Sequence, residues 1–400
     1  MSVIFHIDVN SAYLSWTSVE QLKNETGQDL RKIPAIIGGD QASRHGIVLA
    51  KSVPAKKYGI CTGEPVVNAF RKCPNLVTVP PDHKLYHQYS TRLMVFLRTY
   101  TEKIEQVSVD ECYMDFTEIA DRYHSPVDGA FEIKDRVREK FGFTVNIGIS
   151  SNKLLAKMAS DFEKPDRVHT LFPEEIRVKM WPLPVSELFM AGRASVETLS
   201  KLGIYTIGQL AQTPPELLEL HLKSHGRKLW ESANGIGSDV VESEPAEAKG
   251  IGNSTTLPKD VETKEEAENI LEKLAEKVSG RLKNVRQLAG MVSVEVKYYD
   301  FTNVSHQKQM QVPTSEPEEL YRVATELFEE LWDQKPIRLL GIRTAKLVEE
   351  GTPVQMSLFD IPIKTEEELR KEKRLKKLDA ALQGVRQKYG DAIVKKANDM

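Results

Sequence analysis

The run Val3-Ile-Phe-His-Ile7 is apolar enough for a short buried strand, and it delivers Asp8 at its end. Asn10 or Ser11 then stands where a helix cap belongs, ahead of a helix running towards Lys23, which puts a carboxylate beside a helix N-terminus. Two further strand-like runs, Ile104 to Val109 and Cys112 to Phe116, meet around Asp110 and Glu111, the pattern of a hairpin with acids near its turn. Val145, Ile147 and Ile149 alternate with Asn146 and Gly148 and predict another strand. Ser150 or Ser151 is the expected cap of a helix that follows through Ser160. These strands are expected in one sheet.

Beyond Lys164 the pattern turns helical, with Pro182, Pro184, Pro214 and Pro215 separating short segments such as Val196 to Leu202 and Ile207 to Ala211. From Lys249 to Val348 the signals read strand, helix, strand, strand, helix, strand. The segments are Gly250 to Thr256, Thr263 to Leu282, Met291 to Tyr298, Ser305 to Val312, Pro317 to Trp332 and Arg338 to Val348. Thr263 with Glu266 makes a capping box, and Pro317 suits the first position of its helix. That order predicts a split βαβ domain with one free sheet face. After Gly351-Thr-Pro353, Leu375, Leu378, Leu382, Val385 and Tyr389 recur at steps of three and four, which predicts a terminal amphipathic helix.

A chain of 400 residues exceeds what one hydrophobic core usually serves, so two to four packed units are expected. No apolar run is long enough to span a bilayer. The start, Met1 to Asp8, lacks the basic and apolar regions of a signal peptide, and Cys61, Cys73 and Cys112 show neither metal-binding spacing nor a paired framework. A cytoplasmic protein is expected, with the three thiols as small buried hydrophobes. The net charge of -3 hides an uneven distribution. From Arg44 to Lys103 there are ten Lys and Arg against three acids, whereas Val241 to Glu276 carries ten acids against four lysines. Such blocks are often only solvated faces, but the basic one gains meaning beside a phosphate-handling site.

Asp8, Asp110 and Glu111 supply that possibility. Magnesium prefers oxygen ligands and keeps water and phosphates in its shell, so a few carboxylates on a rigid sheet suffice to hold it. Two ions about 3.5 to 4 Å apart lower the pKa of an attacking hydroxyl and stabilise a pyrophosphate leaving group. Asp8 and Asp110 are assigned to both ions and Glu111 to the ion nearer the hydroxyl, with the Val9 carbonyl completing the second site. Taken alone, an Asp-Glu pair at a turn is also what solubility at a hairpin end produces.

Three motifs change that balance: Phe5-His-Ile-Asp-Val-Asn-Ser-Ala-Tyr13, Ser108-Val-Asp-Glu-Cys-Tyr-Met-Asp115 and Gly148-Ile-Ser-Ser-Asn-Lys-Leu-Leu-Ala-Lys157. In order and spacing they resemble the Y-family translesion DNA polymerases, bacterial DNA polymerase IV type, and the likeness continues to roughly Val348. The resemblance implies an α+β multidomain fold: a palm at residues 1–10 and 74–165, small fingers at 11–73, and a helical, helix-hairpin-helix-like thumb at 166–244. A DNA-binding split βαβ little-finger domain would occupy 245–348, and a clamp-binding linker with a C-terminal helix 349–400.

It also implies nucleotide contacts from the helix N-terminus at Asn10, Ser11, Ala12 and Tyr13, and from Lys56 and Lys164. Lys56 falls where many members have an arginine, and Val53 where many have a phosphate-contacting tyrosine. Tyr13 matches the steric gate that rejects a 2′-hydroxyl; the other reading of that ring is a core aromatic. Gly192 matches a glycine of the DNA-contacting helical hairpin, with Met190 replacing another. Lys277, Arg281, Lys283, Arg286 and Lys297 form a cationic stretch suited to a DNA backbone. Gln355-Met-Ser-Leu-Phe359 resembles the peptide by which bacterial polymerases bind the sliding clamp, with Gln355, Leu358 and Phe359 as its contacts; the other reading is a loop folded on its own domain.

The expected function is therefore error-prone translesion synthesis: DNA-directed nucleotidyl transfer from dNTP to a primer on template DNA, with two Mg2+ ions, by a monomer recruited to a sliding clamp. The rivals are a clamp-recruited DNA-binding protein without catalysis and another two-metal palm enzyme such as a nucleotidyl cyclase.

Overall fold

The computed structural model describes residues 2–24, 27–39, 46–244, 247–352 and Arg374. The chain divides into two compact units, Met1–Glu247 and Ala248–Met400. The expected terminal helix and the Gln355–Phe359 peptide lie outside the described residues.

The first unit opens with β1 (Ile4–Val9), α1 (Ala12–Lys23), β2 (Ala35–Gly38), β3 (Val48–Lys51), α2 (Val53–Lys56), α3 (Val66–Lys72), β4 (Val77–Val79) and α4 (His83–Leu97). It continues through β5 (Ile104–Gln106), β6 (Glu111–Asp115), α5 (Pro126–Phe141), β7 (Val145–Ser150), α6 (Lys153–Asp161) and β8 (Val168–Thr170). Short helices α7 (Arg193–Lys201), α8 (Ile207–Gln212), α9 (Pro215–Leu222) and α10 (Ser224–Ala233) complete it.

Strands β5-β6-β1-β7-β8 form one sheet with β1 at its centre. Both faces of β1 are covered, which is why it reads as an almost continuous apolar run. Phe5, Ile7 and Val9 join a core with Leu93 and Leu97 of α4 and Ile133 and Val137 of α5. On the opposite face Ile4 meets Ala156 of α6, and the His6 ring nitrogen Nδ1 lies 2.8 Å from the Ser160 hydroxyl. Helix α6 approaches β7 so closely that a Cβ on Gly148 would meet the Ala156 carbonyl and the Ser160 amide.

Two of the expected caps are wrong. Asn152 caps α6 by accepting from the Leu155 amide at 2.9 Å, because Ser150 is still in β7 and donates its hydroxyl to the Leu171 carbonyl. Ser11 precedes α1 in a left-handed conformation, φ 47°, and its side chain makes no capping bond. The first amides of α1 are thus left without a side-chain acceptor at their N-cap. The smaller sheet has the order β3-β2-β4, with β4 parallel to β2, so Val77–Val79 belong to it and the small unit runs past residue 73. Cys61 also departs from expectation: it is exposed, following the turn at Gly59, whereas Cys73 and Cys112 are buried.

The second unit has β9 (Gly250–Val261), α11 (Lys264–Asn284), β10 (Gln287–Tyr298), β11 (Asn303–Thr314), α12 (Pro317–Leu331) and β12 (Ile337–Glu349). This is the expected element order, and the strands lie antiparallel as β11-β10-β12-β9. Alternation decides the layering: Val292, Val294 and Val296 of β10 pack with Leu271, Leu274 and Val278 of α11 and Val323 and Leu327 of α12. Pro317 sits in the first turn of α12 as expected. Thr263 caps α11 by accepting from the Glu266 amide, but the Glu266 carboxylate bonds the Thr263 hydroxyl, so only half of the capping box forms.

Candidate active site

The register of the large sheet brings the acids together. Asp8 of β1 lies directly opposite Glu111 of β6, and the Val9 amide donates to the Asp110 carbonyl at 3.1 Å. Asp110 closes the β5–β6 hairpin, where its carboxylate accepts from the Ser108 hydroxyl at 2.7 Å. Ser108 in turn accepts from the Asp110 and Glu111 amides, so the turn is fixed from both directions.

A cleft of about 610 Å³ opens beside these strands, lined by Asp8, Val9, Asp110 and the N-terminal residues Asn10 to Tyr13. Lys56 and Lys164 line it as well, so every residue proposed for nucleotide contact borders one space. Glu111 does not: its carboxylate accepts from Lys157 at 2.7 Å. Sequence reasoning missed Lys51, Ser52 and Thr62, which share the cleft wall. Lys51 ends β3, and no hydrogen bond or ion pair to a described residue involves its side chain or that of Lys56. Val53, exposed at the start of α2, lines the cleft without a polar group.

Asn10, which borders the cleft, is also tied by hydrogen bonds to the elements around it. Its amide donates to Asn146 at 3.0 Å, and its side-chain oxygen accepts from the Thr144 hydroxyl and the Asp166 amide, each at 2.9 Å. Its backbone is engaged as well, the amide donating to the Thr144 carbonyl at 3.0 Å and the carbonyl accepting from the Ser15 hydroxyl at 2.6 Å. The Asn146 amide donates to the carbonyls of Ser160 and Glu163, so this pair ties the Lys164 loop to β1 and β7. Tyr13 stacks on Tyr86, with ring centroids 4.2 Å apart and planes 8° from parallel, and meets the edge of His83.

Burial raises the Asp8 carboxyl above its usual pKa; the Lys164 ammonium bonded to it works in the opposite direction, and Glu111 adds to the rise. Burial alone would lower Lys164, but Asp8 and Asp161 carry it upward. His6, behind Asp8 on β1, is held well below the usual imidazole range by burial, then by the charges of Lys157 and Lys164. Burial also raises the Tyr13 phenol, with the Asp110 charge second.

Among the described residues, no group of three or more His, Cys, Asp or Glu side chains stands as a preformed metal cluster. The donor chemistry nevertheless fits a hard divalent cation. Asp8 and Glu111 present carboxylate oxygens from facing strands, and Lys164 and Lys157, bonded to them, balance their charge.

The other expected contacts are more dispersed. Gly192 is the N-cap of α7, and Met190 before it takes the left-handed conformation, φ 71°, that a glycine would adopt without strain. In the second unit Arg281 donates to the Gly252 carbonyl and Lys283 pairs with Glu316, which leaves Lys277 and Arg286 exposed without such partners among the described residues. The sheet surface away from the two helices is the free face expected from the element order, but its residues were not singled out by sequence. Register rows place Gln307, Ser293, Arg343 and Gly252 side by side, and next to them Ser305, Glu295, Gly341 and Ser254.

Similarity to known proteins gives this geometry a family. The profile of the impB/mucB/samB family matches residues 7–161, and that of its C-terminal domain matches residues 248–358. A DNA polymerase IV of Clostridium acetobutylicum is 45% identical over 98% of this chain and 96% of its own length. DNA polymerase IV 1 of Bacillus subtilis is 35% identical over 98% of this chain and 92% of its own. The chain belongs to the DNA polymerase IV group of the Y family. It is a DNA-directed DNA polymerase of the translesion type, and membership implies the use of a divalent metal. The fold agrees: a Y-family DNA polymerase chimera aligns with a TM-score of 0.76 at 24% identity, covering 87% of this chain and 100% of that one. Among the described residues of this polymerase, no helix is long and apolar enough to cross a membrane.

Proposed function

We propose that the polymerase extends a primer at the cleft beside Asp8 and Asp110, with Asp8, Asp110, Glu111 and the Val9 carbonyl holding a pair of magnesium ions. The observation that carries this reading is the facing register of Asp8 and Glu111 with Asp110 bonded alongside. When bound, magnesium lowers the pKa of the primer hydroxyl and takes up charge on the pyrophosphate. The protein's own share is positioning. The uncapped amides of α1 and the ammonium groups of Lys56 and Lys164 receive the triphosphate, and Lys51 adds charge where Val53 offers none.

On this reading the palm is the five-stranded sheet with α4 to α6, the fingers are the three-stranded sheet with α2 and α3, the thumb is α7 to α10, and the second unit is the little finger. Primer-template DNA is gripped through its backbone by Gly192 and its hairpin and by the cations Lys277, Arg281, Lys283 and Arg286. The enzyme acts as a monomer in the cytoplasm. Magnesium-dependent extension of a primed template by the full chain tests the reading; no extension with any divalent metal would reject it.

Tyr13 is the proposed steric gate, its ring held by the stack on Tyr86. Tyr13→Ala should raise ribonucleotide insertion by about two orders of magnitude, whereas Tyr13→Phe should preserve discrimination because the stack survives. Single-nucleotide insertion with matched dNTP and rNTP measures both. Gln355, Leu358 and Phe359 are the proposed clamp contacts. Deleting residues 355–359 should abolish stimulation by a loaded sliding clamp while distributive extension continues at its former rate. Equal loss of both activities would reject the assignment.

A further inference from the structure

Five charged side chains form a continuous series of ion pairs from one proposed metal ligand, Glu111, to another, Asp8. Lys157 bonds Glu111 at 2.7 Å and Asp161 at 3.3 Å, while Lys164 bonds Asp161 at 2.8 Å and also Asp8. Asp161 is the carboxylate common to both lysines. Helix geometry fixes half of this arrangement, since Lys157 and Asp161 are four residues apart on α6 and therefore on one face. Lys164 comes back to the same carboxylate from the loop that Asn146 holds at the Glu163 carbonyl.

The chemistry of the series follows from competition. A divalent cation taken up by Asp8 and Glu111 seeks the same oxygens that Lys164 and Lys157 occupy. Lys157 is largely buried, and an ammonium without an anionic partner is strongly disfavoured in such surroundings. Asp161 gives each lysine a second acceptor already within reach. We propose that Asp161 is a positioning residue for the polymerase reaction: it retains Lys157 and Lys164 when a divalent cation takes Glu111 and Asp8, and so keeps those carboxylates available to the metal and Lys164 directed at the triphosphate. This rests on the reading of Asp8 and Glu111 as metal ligands.

The test measures Mn2+ binding by electron paramagnetic resonance, with no turnover, in the complex of the full chain with a dideoxy-terminated primer-template and the matching dNTP. Asp161→Asn should weaken Mn2+ binding by about fivefold, and by clearly less in a Lys157→Met background, because part of its action passes through that lysine. A simple loss of negative charge would cost the same in both backgrounds. Equal losses, or unchanged affinity in folded Asp161→Asn, overturn the proposal. With a side chain 42% exposed, Asp161 tolerates substitution, and Asp161→Ser serves if Asp161→Asn fails to fold. Glu111→Ala separates the two layers. Undiminished Mn2+ binding there would discard the ligand assignment itself, whereas lost binding there with no Asp161 effect would discard only the positioning role.

Discussion

Asp110→Ala is expected to lower magnesium-dependent primer extension by about three orders of magnitude or more while leaving the fold intact. The change removes a carboxylate that borders the cleft and that, on the proposed reading, holds the magnesium pair. It spares the features that build the hairpin. The Val9 amide donates to the Asp110 backbone carbonyl, which alanine retains, and the Ser108 hydroxyl still accepts from the Glu111 amide. A carboxylate lost from a partly exposed turn costs little stability, so the thermal transition should move by no more than a few degrees. Single-turnover extension together with a melting curve decides the matter. Activity within tenfold of the parent would exclude Asp110 from the chemistry, and collapse of the melting transition would turn the effect into one of folding.

The largest expected effect on stability lies at Gly148. Its added methyl group would meet the Ala156 carbonyl oxygen and the Ser160 amide, both of them helix backbone that no side-chain rotation can move aside. Gly148→Ala therefore has to push α6 off β7, at an expected cost of about 3 kcal/mol or more. The damage extends to chemistry, because α6 carries Lys157 and its displacement carries that ammonium away from Glu111. Gly280 of α11 provides the contrast. A methyl group there meets nothing, and the gain in helix propensity should stabilise the second unit by up to about 1 kcal/mol. Chemical denaturation of both variants measures the difference, and a Gly148→Ala protein as stable as its parent would refute the packing argument.

Period and punctuation made much of the fold legible. The six segments of the second unit appear in the expected order, since Val292, Val294 and Val296 alternate and Pro317 marks a helix start. Asp8 and Asp110 were legible as members of one site because two of the quoted motifs carry them in family order, and Lys164 because the family resemblance implies it as a nucleotide contact. Lys157 with Asp161 was not, although both lie in or beside a quoted motif: an i,i+4 pair on a helix normally means only surface support. Its meaning depends on the third partner, Lys164, which arrives through tertiary structure. Lys51 was hidden for a similar reason, because one lysine in a short strand announces nothing until the fold lines a cleft with it. Ser11 misled because its residue type suits a cap, whereas with a left-handed backbone its side chain makes no capping bond. The reach of the smaller sheet to Val79 was equally unreadable, since a three-residue strand leaves almost no periodic signal.

The pairing of Asp8 with Glu111 makes the active site a matter of parity. Because strand side chains alternate, inserting or deleting one residue within β1 or the β5–β6 hairpin would turn one acid to the opposite surface of the sheet, among Leu93 and Ile133. Length changes in these stretches are therefore tolerable only in steps of two, and even those slide one carboxylate past the other. Lineages descended from this enzyme are free to vary the side chains around the hairpin far more readily than its length.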